Sequence, residues 1–258
     1  MPFRYEQNVE SEDGNNVYLT IDETIQSICE KYMQKGVEDN NVLNKGVCIA
    51  MDVNTGAILA MVTTDGYDLN NPYELSAKDK KKIKSTAKSK QAEAESAALS
   101  NMWRNKAVAD TYMPGSVFKM CVASAALEEN LVNEKTSFTC TGSISVEGET
   151  IHCSNISGHG TQSFVEVISN SCNPAFIQIG QMLGAGKFRQ YYQGFGFSDK
   201  TGIDLPGEAE DSFWKEGKMG GVDLAVASFG QNFTITPIQM ITACAAVSNG
   251  GYVVQPHV

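Results

Sequence analysis

Three places in this chain read Ser-x-x-Lys, a spacing that can set a hydroxyl beside an amine on one helix face: Ser85 to Lys88, Ser116 to Lys119 and Ser212 to Lys215. Residues three apart on a helix are neighbours, so the lysine could take the serine's proton and turn the hydroxyl into a nucleophile for acyl transfer. The surroundings separate the three. Ser85 lies in a lysine-crowded stretch and Ser212 in a glycine-rich loop, where an amine stays hydrated and charged. Only Ser116 follows Pro114-Gly115 and opens an apolar run containing Val117, Phe118, Met120 and Val122. A helix beginning there would offer free N–H groups to a developing oxyanion, and its apolar neighbours would desolvate Lys119 and lower its pKa. Taken alone, the same residues also fit a helix-capping serine followed by a snorkelling lysine.

Ser171-Cys172-Asn173 is the one Ser-x-Asn in the chain, at a predicted helix junction just before Pro174. It could present two polar side chains across a cleft from Ser116, or it could simply cap a helix. Competing chemistries find little support. The histidines are His152, His159 and His257, and no Gly-x-Ser-x-Gly occurs, so a Ser-His-Asp site is not expected; His159-Gly160 reads as a loop contact. The seven cysteines include no Cys-x-x-Cys and show no metal-ligand spacing, so neither metal nor cofactor is expected.

The elements that must position these residues follow from hydrophobic period and turn chemistry. Thr20 and Glu23 are spaced like a capping box, and Ile25, Ile28, Cys29, Tyr32 and Met33 predict a helix over 22–35, with loop over 36–45. The runs Gly46 to Asp52 and Ala57 to Thr63 flank Asn54-Thr55-Gly56 and predict a hairpin covered on both faces. Residues 77–100 crowd lysines at one end and Ala and Glu at the other, which reads as a solvated helical insertion or a mobile segment. A helix over 116–129 would bury Met120, Ala123, Ala126 and Leu127. Two strands are expected around Glu147-Gly148 and a short helix over 161–170. Another helix should run from Pro174 to Leu183, stopped by Gly184, with a third over Lys187 to Tyr192. Residues 194–221 read as loop, Leu224 to Phe229 as a small apolar element, and Pro237 as the start of a helix with Ile241, Cys244, Ala245 and Val247 on its stripe. Tyr252 to Val254 should begin a strand. Residues 1–17 are a polar lead-in.

The 258 residues are 42% hydrophobic and 19% charged, enough for a sizeable core. A net charge of −10 argues against nucleic acid as a partner, since phosphates would be repelled. No run of about 18 apolar residues is present.

Read in order, these segments resemble the transpeptidase domain of a class B penicillin-binding protein across nearly all of 18–258. The match runs through Leu19-Thr20-Ile21-Asp22, Thr55-Gly56-Ala57-Ile58-Leu59-Ala60-Met61 and Asn105-Lys106-Ala107. It continues through Pro114-Gly115-Ser116-Val117-Phe118-Lys119 and Ser171-Cys172-Asn173-Pro174. Later come Thr201-Gly202-Ile203-Asp204-Leu205-Pro206-Gly207-Glu208, Phe229-Gly230-Gln231, Thr236-Pro237-Ile238-Gln239 and Asn249-Gly250-Gly251. The resemblance implies an α+β fold, an α/β/α sandwich with an antiparallel sheet flanked by helices, shared with serine β-lactamases. It implies peptidoglycan stem peptides as substrates, β-lactam antibiotics as acylating mimics, cell-wall synthesis proteins as partners and the extracytoplasmic face of the bacterial membrane as the place of work. Ser116 would be the nucleophile, Lys119 its base, Ser171 a proton relay and Asn173 the orienter of the substrate amide.

The sequence departs from that family in its third motif. Lys200-Thr201-Gly202 spells it but sits in a turn-rich loop with Gly194, Gly196 and Pro206; in the family the motif follows the Asn-Gly-Gly segment. The third motif, the later strands, the last helix and the membrane anchor are therefore expected to lie outside this sequence. A β-lactam sensor, a serine β-lactamase and an inactive scaffold remain alternatives. Cys172 sits inside the second motif and Cys153 ends the preceding strand pair, so the two could form a disulfide that distorts Ser171 and Asn173 and puts the site under redox control.

Overall fold

The computed structural model describes residues 14–42, 46–64, 66–209 and 212–258; most of the polar lead-in lies outside them. Helix α1 (Glu23–Asp39) is capped by Asp22, whose carboxylate accepts from Ile25 N at 2.9 Å. It runs to Asp39, so only 40–42 of the expected loop is loop among the described residues. Thr20 is not the cap. Its hydroxyl instead donates to Ile58 O at 2.6 Å, because Asp22 already satisfies the first turn and Thr20 lies beside the sheet.

Strands β1 (Val47–Met51) and β2 (Ile58–Thr63) form the expected antiparallel hairpin, with Val47 opposite Thr63. The Asp52 carboxylate accepts from Asn54 and Thr55 N–H and closes the turn. No residue of either strand is exposed. α1 packs on β2, and the amide of Gln26 ties them by accepting from Met61 N at 2.9 Å. Helices α4 (Lys106–Ala109) and α9 (Pro237–Ser248) pack on the same hairpin, burying Ile58, Val108 and Ile238 together.

Helices α2 (Ala77–Lys84) and α3 (Gln91–Trp103) occupy the lysine- and alanine-rich stretch, and neither buries a residue fully. Trp103 docks α3 by donating from Nε1 to Pro72 O at 2.6 Å and packing edge-on against Tyr73.

The middle of the chain holds two interleaved pairs. β3 (Ser137–Cys140) pairs with β6 (Gly160–Ser163), while the hairpin β4 (Ser143–Val146) and β5 (Glu149–His152) lies between them in sequence, turning through left-handed Glu147 and Gly148. Residues 161–163 are therefore strand rather than helix. α6 (Phe164–Ser169) starts only after Ser163, which forms a capping box with Glu166. α7 (Asn173–Gly194) is broken at Gly184, where φ is 71°, so the expected stop and restart both appear inside one element. α8 (Gly221–Ala227) takes up much of the apolar segment read as a small element.

Between the 3₁₀ turn Gly115–Phe118 and α8 the core is aromatic. Phe118 touches Phe233, Phe197, Phe188 and Tyr192 at ring-centroid distances of 4.9, 5.4, 5.9 and 6.3 Å. α5 (Lys119–Glu128) buries Cys121, Val122, Ala125 and Ala126 against α7, but Leu127 is 45% exposed because the helix leaves the core before Asn130. α9 likewise buries Ile238, Met240 and Ala243 and exposes Val247. Tyr252 to Val254 forms no strand: the Asn249 side chain bonds Tyr252 at both N and O, and the chain meets the sheet only at a single bridge between Ala57 and His257. The architecture is α+β, with helices packed on antiparallel pairs. Among the described residues no helix is long and apolar enough to cross a membrane.

Candidate active site

Ser116 stands on the 3₁₀ turn Gly115–Phe118, and the α-helix begins only at Lys119. This tightens the expected geometry, because residues three apart in a 3₁₀ turn lie directly above one another. The Phe118 ring anchors the turn in the aromatic core while Ser116 is exposed. Two backbone ties hold the approach. Tyr112 exchanges both hydrogen bonds with Ile235 at 2.9 and 3.0 Å, and Gly115 N donates to Gly230 O at 2.8 Å. Gly230 must be glycine: its φ is +81°, and a Cβ there would lie 2.0 Å from Gly115 O. Nothing in the Phe229-Gly230-Gln231 motif itself signals this buttressing role, which only the packing of 230 on 115 reveals.

The second element is built at a helix end. Ser171 N donates to Ile168 O and Cys172 N to Val167 O, closing α6 with a Schellman motif. The motif places Ser171 in the left-handed region, at φ 50°, where glycine is the usual occupant. A serine there is disfavoured by about 1 kcal/mol. In return the hydroxyl is aimed at Lys119. Lys119 Nζ donates to Ser171 O at 2.7 Å, to Ser171 Oγ at 3.0 Å and to Asn173 Oδ1 at 2.7 Å. All three ammonium protons are thus spent on the Ser-x-Asn element. Asn173 is held from its other end by Nδ2 donating to His152 O at 3.4 Å.

Lys119 is buried, its Nζ 5.4 Å from the Phe176 ring centroid, and no carboxylate pairs with it among the described residues. Burial pushes its pKa down from 10.5 to about 8, against an opposing pull from the Cys153 and Cys172 sulfurs. Ser116 Oγ makes no hydrogen bond among the described residues, so the structure joins Lys119 to Ser171 and Asn173 but not to Ser116. Catalytic contacts of this kind commonly tighten only when substrate is bound.

The other Ser-x-x-Lys pairs do no comparable work. Ser85 donates to Lys82 O at the end of α2, and Ser212 pairs with Thr234. Lys200-Thr201-Gly202 is a loop tied down by the Glu208 carboxylate, which accepts from Thr201 N, Thr201 Oγ1 and Gly202 N. Cys153 and Cys172 are brought together as free thiols, and they are not alone. Cys140 and His159 join them, with all four donor atoms within 4.8 Å of one another. Sequence spacing gave no sign of that cluster.

Comparison with known proteins identifies the family and the fold. The family described as "Penicillin binding protein transpeptidase domain" matches residues 46–258. Stage V sporulation protein D of Bacillus subtilis is 34% identical across 100% of this chain, which spans 36% of that protein. Peptidoglycan D,D-transpeptidase MrdA of Acinetobacter baumannii is 29% identical across 95% of the chain, which spans 35% of it. The chain therefore covers about a third of these relatives. In structure, the transpeptidase domain of Burkholderia pseudomallei penicillin-binding protein 3 superposes with a TM-score of 0.75 at 22% identity, covering 96% of this chain and 62% of that one, and shares its fold.

Proposed function

Because this chain belongs to the penicillin-binding protein transpeptidase domain family, we propose that it carries the acyl-transfer centre of a peptidoglycan D,D-transpeptidase. The observation that supports this most is the buried Lys119 amine, hydrogen-bonded to both Ser171 and Asn173 within one turn of an exposed Ser116. Ser116 Oγ attacks the carbonyl of the D-Ala-D-Ala bond of a stem peptide, and its proton passes to neutral Lys119. The backbone N–H of Ser116 faces the oxyanion. Ser171 hands a proton to the departing D-Ala amine, and Asn173 orients the substrate amide. The acyl group then moves to an amine of a second stem peptide. β-Lactams acylate Ser116 as mimics of the first peptide. Work at the extracytoplasmic face, alongside other cell-wall synthesis proteins, belongs to the same proposal.

Lys119 can act only when neutral. The ammonium spends three protons on three oxygens; the amine keeps two and gains a lone pair, towards which the Ser171 or Ser116 hydroxyl can turn. With the pKa lowered to about 8, the neutral form grows as pH rises and is about one part in ten at pH 7. The rate of acylation by a fluorescent penicillin should therefore climb almost tenfold per pH unit up to about 7, about fivefold from 7 to 8, and level off by about 9. A rate that is flat or falling across that range would contradict Lys119 as the base.

A further inference from the structure

Four side chains outside the acyl-transfer roles meet behind the second motif. Cys140 ends β3, Cys153 follows β5, His159 precedes β6, and Cys172 sits between Ser171 and Asn173. The three sulfurs are buried and the ring is half-buried. Their donor atoms all lie within 4.8 Å of one another, with His159 Nδ1 3.6 Å from Cys153 Sγ. We propose that Cys140, Cys153, His159 and Cys172 form a tetrahedral zinc site that fixes the Ser-x-Asn element in place.

The backbone is folded to make this meeting. β3 and β6 pair so that Cys140 lies opposite Gly160, next to His159. The loop between Cys153 and His159 is pressed onto the end of β3. Cys153 N donates to Gly142 O, and a Cβ on Gly158 would come within 2.4 Å of Cys140 O. The surroundings suit metal-bound thiolates. Backbone N–H groups of Asn155 and Asn173 point at the Cys153 sulfur. The Gln162 side chain and the Ala175 N–H point at the Cys172 sulfur. Gln162 Nε2 is also the one buried side-chain donor without a hydrogen-bond partner among the described residues. A thiolate at Cys172 would give it one.

Three thiolates and one imidazole are a closed donor set for Zn²⁺. Zn–S bonds of about 2.3 Å set the sulfurs about 3.8 Å apart, and the four donor atoms already lie within 4.8 Å of one another. Binding deprotonates the thiols that are still protonated, releases those protons to solvent, and changes no oxidation state. The catalytic consequence is positional. Cys172 shares its backbone with Ser171 and Asn173, and Cys153 adjoins His152, whose carbonyl holds Asn173. A metal on both sulfurs locks the corner that presents three oxygens to Lys119.

The test uses the intact reduced chain, incubated with zinc and desalted. Elemental analysis should find about one zinc per chain. Cys140→Ser and His159→Ala should lower retention, and Cys29→Ser should not. Should the variants misfold, cobalt in the wild-type chain gives an independent reading: thiolate-to-cobalt charge-transfer bands with intense tetrahedral d–d bands. These readouts do not depend on transpeptidase activity, so the metal site and the proposed function fail separately. Stripping zinc with a chelator should slow penicillin acylation about tenfold, reversed by added zinc. A folded, reduced chain that retains no zinc, a cobalt spectrum without thiolate bands, or a Cys153–Cys172 disulfide in chain isolated with zinc present would each overturn the proposal.

Discussion

Lys119→Met is expected to slow acylation by a β-lactam about 10²–10⁴-fold while the chain stays folded. Methionine keeps the apolar stem that packs near Phe176 but supplies neither proton nor lone pair. The substitution removes a buried cation that has no carboxylate partner, which favours folding. It also orphans Ser171 O, Ser171 Oγ and Asn173 Oδ1, which opposes it. These two effects offset one another to within about 2 kcal/mol, so thermal melting should move far less than the acylation rate. Lys119→Arg separates the two jobs of this side chain. Arginine keeps the charge but stays protonated at any working pH. A slow arginine variant assigns Lys119 as a base; one that acylates at the native rate reduces its role to electrostatics.

Gly230→Ala should damage both fold and chemistry. Residue 230 adopts a φ of +81°, and an added Cβ would lie 2.0 Å from Gly115 O and 2.7 Å from its carbon. These are backbone atoms of the residue preceding Ser116, so no side chain can swing away. The left-handed strain alone amounts to about 1–2 kcal/mol, and relieving the clash must push the Gly115–Phe118 turn outward. A loss of at least about 2 kcal/mol in urea denaturation is expected, and the fraction that remains folded should label poorly with penicillin. Native labelling with lowered stability would mean that the turn tolerates the shift, and that Gly230 supports the fold alone.

The four candidate acyl-transfer residues, Ser116, Lys119, Ser171 and Asn173, stand out in the sequence because their information is local. Pro114-Gly115 marks the turn, the apolar run after Ser116 marks burial, and Pro174 marks the helix that the Ser-x-Asn element precedes. Gly184 was legible for the same reason, as a glycine interrupting a helical pattern. What stayed hidden depends on pairing across long separations. Thr20 looked like a cap because nothing in the sequence says that Ile58 O lies within its reach. Residues 161–163 read as the start of a helix because their partner, β3, lies beyond an intervening hairpin. That same crossover brings Cys140 to His159 and so builds a four-donor cluster from spacings of thirteen, six and thirteen residues (140 to 153, 153 to 159, 159 to 172), which no ligand pattern matches. The buttress at Gly230 was hidden likewise, since its contact with Gly115 spans more than a hundred positions.

The central claim is that Ser116 is the acylated nucleophile, and intact-mass spectrometry after incubation with a fluorescent penicillin tests it most directly. The wild-type chain should gain one penicilloyl adduct, mapped to the peptide carrying Ser116. Ser116→Ala should gain none while melting like the wild type, because the side chain is exposed and makes no hydrogen bond among the described residues. An adduct that persists in folded Ser116→Ala, or maps to another residue, would contradict the account.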